Sequence, residues 1–346
     1  MSVTRRDLLK LAGAAGAMSM APAIVRAQKL EKAKVQIAVG GKPLIYYLPL
    51  TIAEIKGYFK DEGLDVSIAD FAGGSKALQA VVGGSADVVS GAFEHTIAMQ
   101  SKGQAYRAFV LQGRAPMIGV GVSKKALPNY KGAADLKGKK IGVTAPGSST
   151  NMVVSFFLAK HGLKASDVSF IGVGAGAGAV TALRSGQVDA MSNTDPVVSM
   201  LTSGGDMQII VDTRTLKDTR EIFGGNMPAG SLYAPQAFID ANPNTVQALT
   251  NAIVRADKWI QKAGAEEIAK TVPASYLLGD PAIYKAAIAA SLEGLSPDGV
   301  IPEDGAATAA KALAAYAGEI DLAKIDTAKV WTNDFTRRAN EKYPNG

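Results

Sequence analysis

Four short loops hold most of the residues in this chain that could do chemistry. They read GGS (Gly73–Ser75), SGAFE (Ser90–Glu94), PGSSTN (Pro146–Asn151) and SNTDP (Ser192–Pro196). Each falls between a strand-like run and a helix-like pattern, so each offers amide N–H groups without helical partners at the positive end of a helix dipole. Hydroxyls and glycines turn such a start into a cradle for a small anion. PGSSTN is the strongest of the four: Gly147 lets a solute approach the backbone, Ser148, Ser149 and Thr150 supply hydroxyl donors, and Asn151 follows. Gly74 and Ser75 form a second face, with Ser90, Phe93 and Asn193 as further candidates. Asp195 can cap the helix that Pro196 opens, or face a solute carrying N–H donors. Arg114, which closes the run FVLQGR, can pair with an anion through both ends of its guanidinium, or stand in solvent. Glu94 reads as an acid in the first turn of a helix.

Residues 174–179, GAGAGA, match the glycine pattern of a dinucleotide-binding turn, with Asp195 downstream where an acid would meet the ribose. An internal repeat gives these glycines another meaning. When the chain is displaced by about 102 residues, ALQAVVGGSADVVSG (77–91) falls on AVTALRSGQVDAMSN (179–193). Ala80, Gly84, Asp87 and Ser90 then match Ala182, Gly186, Asp189 and Ser192. The glycine run becomes the second copy of FAGGSKAL (71–78), which has no dinucleotide pattern. Asp87 and Asp189 take the same structural position at the entry to a strand. The helix after the glycines is also only about two turns long, too short for the nucleotide fold.

The elements that must position these loops alternate. Strand-like runs lie at 35–39, 66–69, 87–90 and 108–111, with helical patterns at 50–59, 76–82 and 93–100 between them. After the turn-rich link KKALPNYKGAADLKGKK the alternation resumes, with strands at 140–143, 168–171, 188–191 and 208–211 and helices at 151–161, 179–185 and 196–202. This predicts two α/β lobes with mainly parallel sheets. From Pro243 the chain turns helical, with Asn242 as cap and Pro243 at the first helical position.

The first 27 residues read as a twin-arginine export leader: Arg5 and Arg6, a weakly apolar run from Leu11 to Ile24, and a small-residue cleavage site ending at Ala27. Its removal leaves 33 basic against 30 acidic residues, so much of the apparent basicity belongs to the leader. No stripe of Lys and Arg interleaves with aromatics, which argues against nucleic acid. With no cysteine there is neither a lipidation site nor a disulfide. The two histidines lack partners at triad or metal-ligand spacing, G-x-S-x-G is absent, and 132–140 fails the phosphate-loop spacing. No catalytic, metal or cofactor set is expected.

The segments YYLPLTIAEIKGYFKDEGLDV (46–66), ALQAVVGGSADV (77–88), ADLKGKKIGV (134–143) and ALRSGQVDA (182–190), in this order, resemble the solute-binding proteins of bacterial ABC importers. The branch is that of the nitrate, taurine and alkanesulfonate binders and of relatives that bind thiamine-precursor pyrimidines. The resemblance implies the two-lobed periplasmic-binding-protein fold of type II, with lobe one at 34–118 and 231–346 and lobe two at 119–230. It implies hinge crossings near Gly119–Ser123 and Met227–Tyr233, and a return of the helices after Pro235 to lobe one. It places Tyr46 and Tyr47 at the pocket wall, one lining it and the other packing. It also implies a monomer in the periplasm that passes a small organic anion, or alternatively an aminopyrimidine-like heterocycle, to membrane permease and ATPase subunits. A fungal pyrimidine synthase shares the fold, but it implies a cysteine-rich iron site that a chain without cysteine cannot build. Export is tested by replacing Arg5 and Arg6 with Lys: uncleaved precursor should accumulate in the cytoplasm, and normal delivery of that variant would reject the twin-arginine route.

Overall fold

The computed structural model describes residues 29–317 and 320–345. The twin-arginine leader and its cleavage site at Ala27 lie outside the described residues.

Two five-stranded sheets organise the chain. The first contains β1 (Lys34–Val39), β2 (Asp65–Asp70), β3 (Val88–Ala92), β4 (Tyr106–Leu111) and β10 (Gly230–Pro235), in the order β2-β1-β3-β10-β4. The second contains β5 (Ile118–Ser123), β6 (Lys140–Val143), β7 (Ser169–Gly172), β8 (Ala190–Thr194) and β9 (Met207–Asp212), in the order β7-β6-β8-β5-β9. The helices between the strands of the first sheet are α1 (Leu48–Ile55), α2 (Tyr58–Asp61), α3 (Gly74–Val82) and α4 (Glu94–Ser101). In the second they are α5 (Ser149–Lys160), α6 (Ala177–Arg184) and α7 (Val197–Ser203).

The sheets share one plan, and both are mixed. β10 runs antiparallel to β3 and β4, and β5 antiparallel to β8 and β9, while the other pairings are parallel. The reason is where the chain enters. Ile118 at the start of β5 pairs with Thr194 at the end of β8, and Gly230 at the start of β10 pairs with Ala92 at the end of β3. A strand that starts at the carboxyl ends of its neighbours must run against them. The crossings therefore lie before these strands, at 112–117 and 213–229: the first just ahead of the expected 119–123, the second overlapping the expected 227–233 only at 227–229. Gly119 and Gly121 gave β5 the look of a hinge. They serve packing instead: a Cβ on Gly121 would lie 2.5 Å from Met207 Cγ.

The repeat read from sequence has a physical counterpart. Asp87 Oδ2 accepts the amide of Gln36 at 3.0 Å, and Asp189 Oδ2 accepts the amide of Lys140 at 2.9 Å, so each acid ties its turn to the parallel neighbour of the strand that follows it, β1 in one sheet and β6 in the other.

After β9 come α8 (Leu216–Phe223), α9 (Gln236–Ala241), α10 (Pro243–Thr271), α11 (Pro281–Ser291), α12 (Gly305–Ala317) and α13 (Asp334–Lys342). α10, interrupted at Gly264 (φ 71°), packs on α1, α2 and α13 in the first lobe. The next two do not stay there. α11 also touches α7, and α12 packs on both α4 and α5, so the C-terminal helices bridge the two sheets.

Among the buried polar residues is a carboxyl without partners. Asp257 on α10 is fully buried, and neither carboxylate oxygen has a hydrogen-bond partner. Burial, then the charge of Asp298, pushes its carboxyl well above the usual range. A carboxyl raised in the folded state contributes its full stability below its unfolded pKa of about 3.9 and loses it as pH rises towards the folded value. Asp257→Asn should therefore gain on the parent as pH rises above about 4, by up to about 1.4 kcal/mol per pH unit. Urea unfolding of both proteins at pH 5 and pH 8 measures this, and parallel pH dependences would refute it.

Candidate functional site

The carboxyl ends of both sheets face each other, and the loops after β1, β2, β6 and β8 meet there. They enclose a cavity of about 20 Å³, lined from the first lobe by Gly40, Leu44, Tyr46, Tyr47 and Gly74 and from the crossing and second lobe by Ile118, Thr144, Ser148, Ser149, Thr150 and Thr194. That is room for about one water molecule. A larger solute needs this pocket to widen.

Contacts between the lobes explain the tight fit. Ser148 is the N-cap residue of α5, yet its hydroxyl makes no cap bond. It instead accepts the amide of Ser75 at 3.0 Å and donates to Ser75 Oγ at 3.2 Å. Ser75 Oγ donates in turn to the carbonyl of Pro146 at 2.8 Å. A Cβ on Gly73 would stand 2.8 Å from Ala145 Cβ, so this approach needs a glycine. Nearby, the Ile45 amide donates to the Asp195 carbonyl at 3.0 Å. Ala175, inside the glycine-rich run, sits where a Cβ on Gly41 would come within 2.4 Å. The run that imitates a dinucleotide turn is thus a lip of the second lobe resting on the first.

The anticipated residues divide cleanly. Tyr46 and Tyr47 both line the cavity, where one of them was expected to pack; their rings meet edge to face, 4.8 Å between centroids. Gly74, Ser148, Ser149 and Thr150 line it as anticipated. Of the three hydroxyls, Ser148 is held by Ser75 and Thr150 Oγ1 accepts the Thr144 amide at 3.1 Å, while that of Ser149 faces the Tyr46 hydroxyl. The amides of Ser149 and Thr150 take no partner from the described residues.

The remaining candidates are committed elsewhere. Ser75 belongs to the contact between the lobes, not to the cavity wall. Ser90 accepts from Gln112 Nε2 at 2.9 Å, and Phe93 is fully buried in the core. Asn151 Oδ1 accepts the Gly147 amide, so these two residues stabilise their own loop. Asn193 donates to the Gly174 carbonyl and accepts the Thr194 amide. Arg114 turns away from the cavity, and its Nε donates to the Glu293 carbonyl at 2.8 Å. Asp195 caps α7 through the Ser199 amide at 2.8 Å, while its other oxygen meets Arg214 at 3.4 Å and Ser291 Oγ at 3.3 Å. Arg214 itself is clasped by Asp212 at 2.6 Å. The capping role of Asp195 prevails because a carboxylate 1 % exposed must spend its lone pairs on whatever surrounds it.

Sequence reading missed Gly40, Leu44 and Ile118, whose residue types carry no chemical signature, and did not single out Thr144 or, within the SNTDP loop, Thr194. It also undervalued Glu94 and His95. These two stand behind Gly74 and the tyrosines, 3 % and 5 % exposed. His95 Nδ1 shares a hydrogen bond of 2.9 Å with the Tyr233 hydroxyl. Burial holds the His95 imidazole below its usual pKa against the opposing pull of Glu94, so it is neutral at pH 7. Burial, and then Glu94, holds the phenols of Tyr46 and Tyr47 far above their usual range, so both remain hydrogen-bond donors. The site can exchange hydrogen bonds and enclose a small molecule; among the described residues there is no cluster of metal ligands.

Comparison with known proteins places this geometry. The chain is 25 % identical over 248 residues to YtlA of Bacillus subtilis, named as a binding protein, covering 70 % of this chain and 71 % of that one. It is 27 % identical over 246 residues to the 4-amino-5-hydroxymethyl-2-methylpyrimidine phosphate synthase of Aspergillus parasiticus, covering 68 % and 69 %. A solved structure from Bordetella bronchiseptica RB50 is 86 % identical, with a TM-score of 0.92, covering 92 % of this chain and all of that one. The alkanesulfonate-binding protein SsuA of Xanthomonas axonopodis, solved bound to MOPS, shares the fold at 21 % identity and a TM-score of 0.68, covering 87 % and 98 %. The two-lobed α/β architecture is that of the periplasmic binding proteins. The NMT1-like family model matches residues 28–273, and this chain belongs to that family.

Proposed function

We propose that this protein is the extracytoplasmic solute-binding component of an ABC-type importer. It takes a small molecule between the lobe built on the first sheet and the lobe built on the second, then presents the closed form to permease and ATPase subunits. The observation that carries this reading is the cavity itself. Its lining comes from both sheets at their carboxyl ends, where α/β sheets bind ligands, and two chain crossings are the joints about which such lobes part. Binding rather than catalysis is favoured by the same lining, which pairs no nucleophile with a base.

For the solute, the anion expectation keeps the Ser149 hydroxyl and the open amides at the start of α5, and loses Arg114, which is bonded to Glu293. The aminopyrimidine-like alternative loses Asp195 as its partner, because that carboxylate is already bonded.

Mass spectrometry of protein purified from the periplasm should release one small molecule per chain. Small-angle scattering should then show a smaller radius of gyration when that molecule is returned, and an unchanged radius at saturation would mean a rigid receptor. Ser148→Ala deletes two hydrogen bonds between the lobes. At about 1 kcal/mol each, this should shift the solute-free equilibrium towards the open form by more than tenfold, read as a larger radius of gyration without solute.

A further inference from the structure

α11 is built into the core of the first lobe, where Tyr284, Ala287 and Ile288 pack with α1 and α10. The short segment that ends it, Ser291–Gly294, reaches out of that core to both crossings and to a loop of the cleft. On the first crossing, the Glu293 carbonyl accepts Arg114 Nε at 2.8 Å. The Gly294 carbonyl accepts the amides of Arg114 at 2.8 Å and Ala115 at 3.3 Å. On the second crossing, the Glu293 carboxylate accepts the amide of Leu216, the first residue of α8, at 2.9 Å. In the SNTDP loop, Asp195 Oδ2 accepts the hydroxyl of Ser291 at 3.3 Å, and Ser291 is fully buried.

The partners of this segment belong to different bodies. α8 is fixed to the second lobe. Phe223 packs on Phe156 of α5 with 4.9 Å between ring centroids, and Lys160 Nζ donates to the Ile222 carbonyl at 2.9 Å. Thr219 Oγ1 donates to the Thr213 carbonyl, and Thr213 is bonded to Ile118 at the start of β5 through its amide and its hydroxyl. Asp195 also moves with the second lobe, since it caps α7 through the Ser199 amide. The Glu293–Leu216 and Ser291–Asp195 bonds therefore join elements of opposite lobes, and both can form only while the lobes keep this arrangement. Gly294 lies where the crossings meet: a Cβ there would stand 2.7 Å from Met117 Cγ and 3.0 Å from the Arg214 carbonyl oxygen. None of Ser291, Glu293 and Gly294 lines the cavity, whereas Thr194, the neighbour of Asp195, does.

Resting on the binding role proposed above, we infer that Ser291–Gly294 is a clasp on the hinge. Glu293 and Ser291 are positioning residues that hold the lobes together without touching solute, and Gly294 is the point about which the crossings turn. The strength of the clasp sets how much of the solute-free protein stands open. Weakening it lowers the population of the closed form, so every solute that needs that form loses affinity by the same factor, whatever its chemistry.

The chain has no cysteine, so cysteines introduced by Lys76→Cys on α3 and Thr181→Cys on α6 place one spin label on each lobe, both at exposed positions. Double electron–electron resonance on the leaderless, solute-free protein then reads the separation of the lobes. Glu293→Ala and Ser291→Ala should each raise the long-distance population relative to the short one by on the order of three- to tenfold, and more when combined. Glu293→Gln, which keeps an acceptor for the Leu216 amide, should move it less than Glu293→Ala; a role in folding alone would lower the melting temperature and leave the distances in place. Ser148→Ala, which removes bonds between the lobes at the cleft, is the control. If Ser148→Ala lengthens the distance and the combined Ser291→Ala and Glu293→Ala variant does not, the clasp is overturned and the binding role stands. A parent that already stands fully open would overturn the clasp too. If no variant moves the labels, Ser148→Ala included, the lobes are one rigid body and both readings fall. Should the combined variant lose its thermal transition, Ser291→Ala alone, which removes one hydroxyl, carries the same test.

Discussion

The structure depends on a close approach of two backbones. At Gly73 and Ala145 the loops of opposite lobes come so near that a single added Cβ would collide, and Ser148 uses that proximity to bond the amide and hydroxyl of Ser75. Hydrogen bonds of this length form only when the flanking side chains are small. Glycine at 41 and 73, and alanine at 145 and 175, are thus conditions for closure rather than signs of flexibility. The same contact sets the cavity's size, because it fixes how near the tyrosines of one lobe come to α5 of the other.

The sheets show how a chain makes two such lobes from one plan. Both copies put three parallel strands side by side and then a reversed one, and the reversed strand is each time the one the chain enters after crossing. Its direction follows from entry at the carboxyl ends, where the binding loops also lie. Crossings and cleft are therefore neighbours by topology. α11 and α12 add packing to both lobes, so the lobes also touch through helices that belong to neither repeat.

Electrostatics divides the polar residues into those already partnered and those left open. Asp195 and Arg214 neutralise each other within a set that includes Asp212 and Ser291. Asp87 and Asp189 are consumed by strand amides. Against that background of satisfied acids, Glu94 and Asp257 are the carboxyls with buried oxygens that find no partner among the described residues.

Much of the fold was legible from residues alone. Period and turn chemistry placed eight of the strands to within a few residues, because a strand's alternation and a helix's start are local properties. The repeat also exposed the glycine run as something other than a nucleotide site. β5 and β10 were not legible, since Gly119, Gly121 and Gly230 weaken the strand pattern and only the neighbouring strands supply the pairing that overrides it. For the site, the PGSSTN loop, Gly74 and the tyrosines were readable from type and position. How each hydroxyl is engaged, where Arg114 points, and whether Asp195 or Glu94 is left unpaired were not. Several of these depend on partners far along the chain, such as Ser75 for Ser148 and Glu293 for Arg114. A sequence states which hydrogen-bonding groups exist; only the packed structure decides which of them have already been spent.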